Sequence, residues 1–513
     1  MANVFMNGMK NATNYAITEN GALTHKSTMS GLLDLFAMGA AYRTRTNEDV
    51  IMLFKNAYEE DPSYALKCLF YIRDVRGGQG ERRFFRVATK WLASAHTEAM
   101  ERNLIHVPEY GRWDDLFNFL NTPLHNKALD IVKHQLALDV QCKTPSLLAK
   151  WMPSENTSSS ETRQKAKIVR KYLGMTSKEY RKVLSILRKR INVLERLMSE
   201  GRWDEIEFDK IPSKAGLKYK NAFARHDIER MKLDKTVQSY ADFAKSTETK
   251  VNAKTLYPYE VVAKAAELMG CNSYWSRRNN VALDNTDRLM INKYWDNLSD
   301  YFAGKSFNGL AVVDTSGSMT GTSADAPINV AISLGMYCAE KAKGPFAGHY
   351  VSFASRPQLI SVDGVDFCDK VKRIYATNLV DNTNIEATFD MLLKVALQNK
   401  CSQDDLPQNL LIISDMEFDQ GTGNYSYSSN KWNPNTLMEN IAQKWATYGY
   451  RMPHLIYWNV QARQNNIPQD LGCGYVSYVS GMSPSIFETI LSGKTGMDLM
   501  YEKLDSERYS VIK

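Results

Sequence analysis

Apolar residues follow two different patterns along this chain, and the change falls near residue 303. From Lys26 to about Asp300 they recur at helical spacing in segments separated by Gly, Pro or Asn, which predicts a long series of helices. After about Tyr301, short and wholly apolar runs alternate with helical segments, as in a parallel sheet covered by helices. The pattern predicts a multidomain protein with an all-α domain at residues 1–303 and a doubly wound α/β domain at residues 304–513.

The α/β part of the sequence can be divided into individual elements. Strands are predicted near residues 308–314, 347–353, 409–415, 453–459 and 475–479. Helices are predicted near residues 326–343, 384–398, 434–448 and 484–502. In the helical part, the motif Gly-Arg-Trp-Asp occurs at residues 111–114 and again at 201–204, and such a repeat favours stacked helical hairpins.

The first predicted strand of the α/β part ends in an Asp-x-Ser-x-Ser motif. Its apolar run is followed by Asp314, Ser316 and Ser318, so one carboxylate and two hydroxyls stand at alternate positions. These are hard oxygen ligands of the type that Mg²⁺ prefers. Because open α/β sheets bind ligands beyond the carboxyl ends of their strands, the motif predicts a site for Mg²⁺ or another divalent cation, with vacant coordination facing solvent. The alternative interpretation is a capped turn that opens the next helix.

Two later segments complete this pattern. Thr383 precedes a predicted helix, and the predicted strand that begins at Asn409 ends in Asp415. A strand with Asp-x-Ser-x-Ser, a loop Thr and a second strand with Asp, in this order, resemble the metal-ion-dependent adhesion site of von Willebrand factor A domains. The resemblance implies five cation ligands, namely Asp314, Ser316, Ser318, Thr383 and Asp415.

A strongly basic segment lies in the helical part, where only Glu179 and Glu195 oppose the positive charges. The basic residues are Arg163, Lys165, Lys167, Arg170, Lys171, Lys178, Arg181, Lys182, Arg188, Lys189, Arg190 and Arg196. Clustered Lys and Arg on helices are typical of polyanion binding. The alternative is a solvated helical face, and a membrane surface is disfavoured because the apolar positions form an ordinary core stripe. Nearby Trp151 and Tyr219 are either base-stacking platforms or core residues.

Composition narrows the functional classes only modestly. The chain has 513 residues and a formal net charge of +7. Its seven cysteines form no CxxC motif, which predicts reduced thiols and disfavours a zinc site or a disulfide scaffold. We find no signal segment and no apolar run as long as a membrane span. A cytoplasmic protein without a membrane partner is therefore expected, or a virion-associated protein if a phage encodes it.

Several further motifs resemble those of TROVE-domain proteins, the family of the Ro autoantigen. They are the arginine-rich turn Ile72–Phe85, the segments Tyr110–Leu116 and Ala149–Pro153, and the basic helices that follow. Their order, and the von Willebrand A-like segment after a helical region, are also similar to that family. The segments Glu19–Leu23 and Asn221–Asp227 look closer still to a Ro-like branch found in phages, plants and fungi.

This resemblance implies a ring of HEAT-like helical repeats closed by a von Willebrand factor A domain. Ro proteins bind small noncoding RNAs on a basic outer surface and take single-stranded 3′ ends of misfolded RNAs into the ring. Carried over position by position, the RNA-binding residues are Lys150, Lys165, Lys167, Arg170, Lys171, Lys178, Arg181 and Lys182. One departure concerns the helix after the basic turn. Where the family has Gly-Trp-Ser-His-Lys, this chain has Gly-Met-Thr-Ser-Lys at residues 174–178, which leaves general RNA binding resting on charge.

Two functions follow from these patterns. The first is a non-enzymatic RNA-binding protein with a Mg²⁺-dependent contact site in its α/β domain. The alternative is a protein-interaction adaptor or phage virion component whose metal site binds an acidic residue of a partner. An enzyme is not expected. Ser492–Thr495 matches only the end of a phosphate-binding loop, and Glu417 and Asp419, the available general bases for cation-assisted hydrolysis, stand in no recognisable motif.

Overall fold

The computed structural model describes residues 13–233, 235–271, 283–353, 356–377, 382–419, 436–469 and 475–513. The predicted fold class is confirmed, because a helical region is followed by an α/β domain built on a mostly parallel six-stranded sheet. A short antiparallel hairpin precedes the helices and consists of the strands β1 (Tyr15–Ile17) and β2 (Leu23–His25). The apolar pattern does not reveal this hairpin, because each of its strands has only three residues.

The helical region is made of short and medium-length α-helices. Within the described residues they are α1 (Gly31–Met38), α2 (Asn47–Glu60), α3 (Pro62–Arg73), α4 (Arg82–Ala95), α5 (Thr97–Asn103), α6 (Val107–Tyr110), α7 (His125–Gln141), α8 (Leu148–Trp151), α9 (Ser160–Tyr172), α10 (Ser177–Arg190), α11 (Leu194–Ser199), α12 (Ser213–Leu233), α13 (Tyr240–Lys245), α14 (Pro258–Leu268) and α15 (Asn285–Asp296). Trp113–Phe119 forms a 3-10 helix. Within the part of the chain that the structure describes, no helix combines the length and the apolarity needed to cross a membrane.

Side-chain caps fix where several of these helices begin. Thr176 and Glu179 form a reciprocal capping box at the start of α10. Helix α3 begins at Pro62, and Asp61 Oδ1 accepts a hydrogen bond from the Tyr64 backbone N–H at 3.0 Å. Since the N–H groups of a first helical turn have no partner within the helix, such caps make these positions the favoured starting points.

The α/β domain contains the predicted strands together with two elements that the sequence pattern missed. The strands are β3 (Gly309–Asp314), β4 (His349–Phe353), β5 (Gln358–Ser361), β6 (Asn409–Ser414), β7 (His454–Asn459) and β8 (Val476–Ser480). The helices are α16 (Pro327–Lys341), α17 (Phe367–Thr377), α18 (Ile385–Gln398), α19 (Leu437–Thr447), α20 (Ile486–Ile490) and α21 (Gly496–Leu504). Strand β5 and helix α17 were not predicted. Only Ile360 is buried in β5, so this strand has no need of the continuous apolar run that marks the central strands. The helix predicted at 484–502 is two helices, separated where Gly493 adopts a φ of 79°.

Strand order brings the two predicted site motifs to neighbouring strands. The order is β5-β4-β3-β6-β7-β8, in which β4 and β5 are antiparallel and the other neighbours are parallel. Every residue of β3 is buried, as expected for a central strand covered on both faces. The chain leaves β3 for β4 on one side and later returns to β6 on the other side. The topological switch point therefore lies between the carboxyl ends of β3 and β6.

Packing divides the chain into two compact units, at positions other than the predicted change at residues 303 and 304. One unit comprises Met1–Cys68 and Ala253–Arg508, and the other comprises Leu69–Asn252 and Tyr509–Lys513. The hairpin and the first two helices belong to the unit that contains the sheet, and α1 packs against β8. Residues 303 and 304 mark the change in secondary structure, whereas the bounds of the compact units also depend on where the N-terminal segment packs.

A buried ion-pair network stabilises the first Gly-Arg-Trp-Asp motif. Asp115 is fully buried and accepts hydrogen bonds from Arg73 Nη2 and Arg86 Nε, each at 2.7 Å. A Cβ atom at Gly111 would lie 2.4 Å from Asp115 Oδ2, so a larger residue does not fit there. In the second copy of the motif Arg202 pairs with an acid at the protein surface. The repeated motif therefore does not mark a repeated arrangement of side chains.

Replacing Asp115 by Ala should lower the free energy of unfolding by about 3–5 kcal/mol, because the substitution leaves Arg73 buried without its counter-charge. Denaturant titration followed by circular dichroism measures the shift in midpoint. The matched control is Glu205→Ala, which removes the exposed acid of the second motif and should cost less than about 1 kcal/mol. Equal losses in the two variants would contradict the special role of the buried network.

Candidate functional site

Asp314 lies at the carboxyl end of the central strand β3 and is fully buried. Its Oδ1 atom accepts a hydrogen bond from the backbone N–H of Ser316 at 2.9 Å. Its Oδ2 atom accepts one from the hydroxyl of Ser414, the last residue of β6, at 2.5 Å. The carboxylate is thus held at the switch point by the backbone that follows β3 and by the last residue of β6.

Three other predicted ligands surround Asp314. Ser316 Oγ and Ser318 Oγ are 3.1 Å apart, and the Ser318 side chain lies close enough to Asp415 to offset part of the effect of burial on the pKa of that carboxyl. Asp415 Oδ1 accepts the backbone N–H of Glu417 at 3.2 Å. The other oxygen, Asp415 Oδ2, is buried and has no hydrogen-bond partner among the described residues. A buried carboxylate oxygen without a partner is the kind of atom that a cation would satisfy.

Thr383, the fifth predicted ligand, reaches the same region from the start of α18. Its backbone carbonyl accepts from the Asp419 backbone N–H at 2.9 Å, which ties it to the segment that follows β6. Its hydroxyl accepts a hydrogen bond from the side-chain amide of Asn20 at 3.1 Å. The structure therefore connects Thr383 to the site through Asn20 and Asp419, and connects the other four ligands by contacts among themselves.

Negative charge is concentrated at this place. Burial raises the pKa of Asp314, and the nearby Asp415 carboxylate is the second-largest cause of this increase. Burial likewise raises the pKa of Asp415. Burial raises the pKa of Glu417 to about 7, and the carboxylates of Asp415 and Glu19 add to this shift. A positive charge beside the carboxylates of Asp314 and Asp415 would stabilise their ionised forms.

These residues fit a hard divalent cation. Carboxylate and hydroxyl oxygens of Asp314, Ser316 and Ser318 lie together, Asp415 Oδ2 has no hydrogen-bond partner among the described residues, and both carboxylates are buried. Asp314, Ser316, Ser318, Thr383 and Asp415 are the residues that would hold the cation. A bound Mg²⁺ would supply a positive centre that attracts an anionic group.

The predicted ligands are themselves mostly buried. Asp314, Ser316, Thr383 and Asp415 are at most 2% exposed, and Ser318 is half-buried. Part of the cover is the chain's own N-terminal hairpin, which contacts Thr383 through Asn20. This contact links residues 363 positions apart, and the sequence pattern carries no signal for it.

The predicted RNA-binding residues lie in the other compact unit, on and near α9 and α10. Those that are exposed are Lys167, Lys171, Lys178, Arg181 and Lys182, whereas Lys150, Lys165 and Arg170 are half-buried. Lys165 pairs with Glu161 at 2.6 Å. Arg170 bonds to Glu155 and to the Met175 carbonyl, so it stabilises the turn between the helices. The sequence prediction did not distinguish these two internally paired residues from the exposed lysines.

The two aromatic residues near the basic segment are already in contact with cations. The guanidinium of Arg112 lies 4.0 Å from the ring centroid of Trp151, and the Lys150 ammonium is 5.8 Å from the same ring. Lys218 is 5.0 Å from the Tyr219 ring. Cation–π contacts of this kind stabilise the helical unit and leave less ring surface for stacking on bases.

Models of two protein families match the chain, and both are described as domains of unknown function. DUF2828 matches residues 18–169 and 146–305, and DUF7788 matches residues 308–510. Because the first model covers more than half of the sequence, the chain belongs to the DUF2828 family.

Individual proteins are also similar to the chain. It is 30% identical over 521 residues to the uncharacterized protein L728 of Acanthamoeba polyphaga mimivirus, over 94% of this chain and 85% of that protein. Among solved structures, the Ro protein (RSR) of Deinococcus radiodurans is similar at 14% identity and a TM-score of 0.42, covering 91% of this chain and 100% of that one. The structural similarity is too distant to assign either candidate site.

Mg²⁺ should stabilise the protein through the acids around Asp314. At a concentration one hundred times its dissociation constant, a cation that binds only the folded state adds about 2.7 kcal/mol. Asp314→Asn should abolish this gain. Without metal, the same variant should be at least as stable as the wild type, because it removes one of several buried like charges. Thermal unfolding in EDTA and in MgCl₂ measures both effects.

Asp405→Asn is the matched control, since it makes the same substitution at an exposed helix cap and should leave the Mg²⁺ response intact. A wild-type protein whose unfolding midpoint is the same in EDTA and in Mg²⁺ would rule out the cation site.

Proposed function

We propose that this protein binds RNA through the exposed faces of α9 and α10. Four exposed lysines carry the proposal: Lys167 and Lys171 on α9, and Lys178 and Lys182 on α10. None of them has an ion-pair or hydrogen-bond partner among the residues that the structure describes. In each helix the two lysines are four residues apart, so their like charges lie on adjacent turns of one face.

The faces opposite these lysines are packed in the core. Ala166 and Val169 are buried on α9, and Tyr180, Leu184 and Leu187 are buried on α10. The lysines therefore project to solvent, where each pair of like charges destabilises its helix by roughly 0.2–0.5 kcal/mol. A polyphosphate backbone would remove that repulsion, whereas a merely solvated face would not. This difference favours polyanion binding over the solvated face.

The proposed ligand is small noncoding RNA or the single-stranded 3′ end of a misfolded RNA. Lysine ammonium groups contact phosphates without reading bases, so binding through these four residues depends on charge and on RNA shape. The Trp and His of the Ro pattern are absent from residues 174–178, where the turn is held instead by the capping box of Thr176 and Glu179. The proposal therefore concerns general RNA binding and not recognition of one RNA type.

Replacing all four lysines by Gln should weaken RNA binding and flatten its salt dependence. Each lost phosphate contact on single-stranded RNA removes about 0.7 from the slope of log K against log salt concentration, so the slope should fall by almost 3. Fluorescence anisotropy with a labelled RNA, measured between low and moderate NaCl, gives both quantities.

The control replaces Lys210 by Gln, because this exposed lysine already pairs with Glu207 and should leave the slope unchanged. RNA affinity that is insensitive to NaCl in the wild-type protein would contradict phosphate contacts altogether.

The cation site supports a second candidate function, Mg²⁺-dependent docking of an acidic residue from a protein partner. The observation that favours it is the buried Asp415 Oδ2 atom, which lacks a hydrogen-bond partner among the described residues beside other buried acids. We assign docking and not bond cleavage to this site. Glu417, a candidate base from the sequence, is fully buried, and its Oε2 atom accepts the Glu19 backbone N–H at 2.8 Å, so this oxygen is already engaged within the protein.

Partner proteins that co-purify with the wild-type chain in Mg²⁺ should dissociate in EDTA and should be absent from the Asp314→Ala variant. Mass spectrometry of the purified complexes, with Asp405→Ala as the control, measures the difference. Partners that remain bound to Asp314→Ala at wild-type levels would exclude docking through the cation.

A further inference from the structure

The turn of the N-terminal hairpin, residues 18–21, is anchored beside the cation site. Thr18 is buried, and its hydroxyl donates to the Phe418 carbonyl at 2.6 Å while it accepts the Ala22 backbone N–H at 2.9 Å. Gly21 adopts a φ of 93°, which closes the turn, and forms an isolated bridge with Asp419. The hairpin is therefore fixed to the segment that follows β6, which carries Asp415.

The side chains of Asn20 and Glu19 project from this fixed turn. The Asn20 amide donates to Thr383 Oγ1 at 3.1 Å and to the Glu417 carbonyl at 2.6 Å. Because the same nitrogen donates to a carbonyl oxygen, which can only accept, the orientation of the amide is fixed. Asn20 thus bridges the loop that supplies Thr383 and the segment that supplies Asp415.

Glu19 and Glu417 add to the contact. The Glu19 backbone N–H donates to Glu417 Oε2 at 2.8 Å, and the other oxygen, Oε1, is buried without a partner among the described residues. The Glu19 carboxylate pairs with Arg463 at 3.0 Å. A second buried oxygen without a partner therefore lies beside the turn, in addition to Asp415 Oδ2.

We propose that the N-terminal turn is a wall of the cation site and that Asn20 is a positioning residue for Thr383. The inference rests on the proposed cation site and adds a chain segment to it. Asn20 holds the Thr383 hydroxyl in place and fixes the Glu417 backbone, so the oxygens from two distant segments are held ready for one divalent ion. Partners that orient a ligand in this way change metal affinity without touching the ion.

Three variants and one probe, Mg²⁺ alone, test the proposal. Asn20→Ala should weaken Mg²⁺ binding about tenfold or more, because Thr383 loses its orienting partner. Asn20→Asp also loses the donor to the Glu417 carbonyl and adds a negative charge beside the site, so it should lower the unfolding midpoint in EDTA, and added Mg²⁺ should recover more of this loss than of the loss in Asn20→Ala. Asn14→Ala is the matched control, since Asn14 donates to the Ser27 carbonyl at 2.8 Å at the other end of the hairpin and does not touch the site. Isothermal titration calorimetry measures affinity, and thermal unfolding measures stability in EDTA and in Mg²⁺.

A larger recovery in Asn20→Asp than in Asn20→Ala is the signature of a wall of the site, because the added charge attracts the cation only if the turn borders the site. Wild-type affinity in both Asn20 variants would overturn the inference and leave the cation site standing. If neither the wild-type protein nor the Asp314→Asn variant binds Mg²⁺, both the cation site and the inference are overturned. An affinity loss in Asn14→Ala as large as that in Asn20→Ala would also refute a specific role of Asn20.

Discussion

The burial of like charges at one place is the constraint that gives the α/β unit its chemistry. Asp314 is the last residue of β3, Asp415 directly follows the neighbouring strand β6, and Glu417 lies two residues further on. Burial raises the pKa of each of these groups, so the site is poorly satisfied by the protein alone. Acids buried together are costly to ionise unless a positive group accompanies them, and the charge of Arg463 lowers the pKa of Asp415 without offsetting the effect of burial.

The two compact units concentrate charges of opposite sign. The unit with the sheet gathers buried carboxylates, whereas the other unit exposes lysines on α9 and α10. Each arrangement is costly in isolation: buried acids repel one another, and exposed lysines on adjacent turns do the same. A divalent cation would relieve the first and a polyphosphate the second. The proposed functions can therefore coexist in one chain, since they use different residues and different ligands.

The N-terminal hairpin shows how a short segment can matter for a site made elsewhere. Its two strands have three residues each and would not be stable alone. The hairpin is held because Thr18, Asn20 and Gly21 bond to residues that follow β6, and because His25 pairs with Ile467. The same contacts fix the backbone of the segment after β6, next to Asp415. Order in the hairpin and order in the site are therefore linked.

By itself, the sequence determined most elements of the α/β domain and the local arrangement of the Asp-x-Ser-x-Ser residues, whereas strand β5, helix α17 and the N-terminal hairpin were not predicted from it. The apolar run of β3 followed by Asp-x-Ser-x-Ser is a local signal, because a strand buried on both faces needs continuous apolar residues and hydroxyls two residues apart come together. The sequence also identified the basic helices, although it did not separate the ion-paired Lys165 and Arg170 from the exposed lysines, since pairing depends on neighbours in space.

Only the tertiary structure decided the rest. It placed Asn20 on Thr383, through a contact between residues 363 positions apart, and it buried four of the five predicted cation ligands. It also gave the two copies of Gly-Arg-Trp-Asp different roles, one buried around Asp115 and one at the surface around Arg202. Periodicity and motif spacing report which faces of a helix or strand are apolar. They carry no information about which distant segments a docked hairpin or a buried ion pair will bring together.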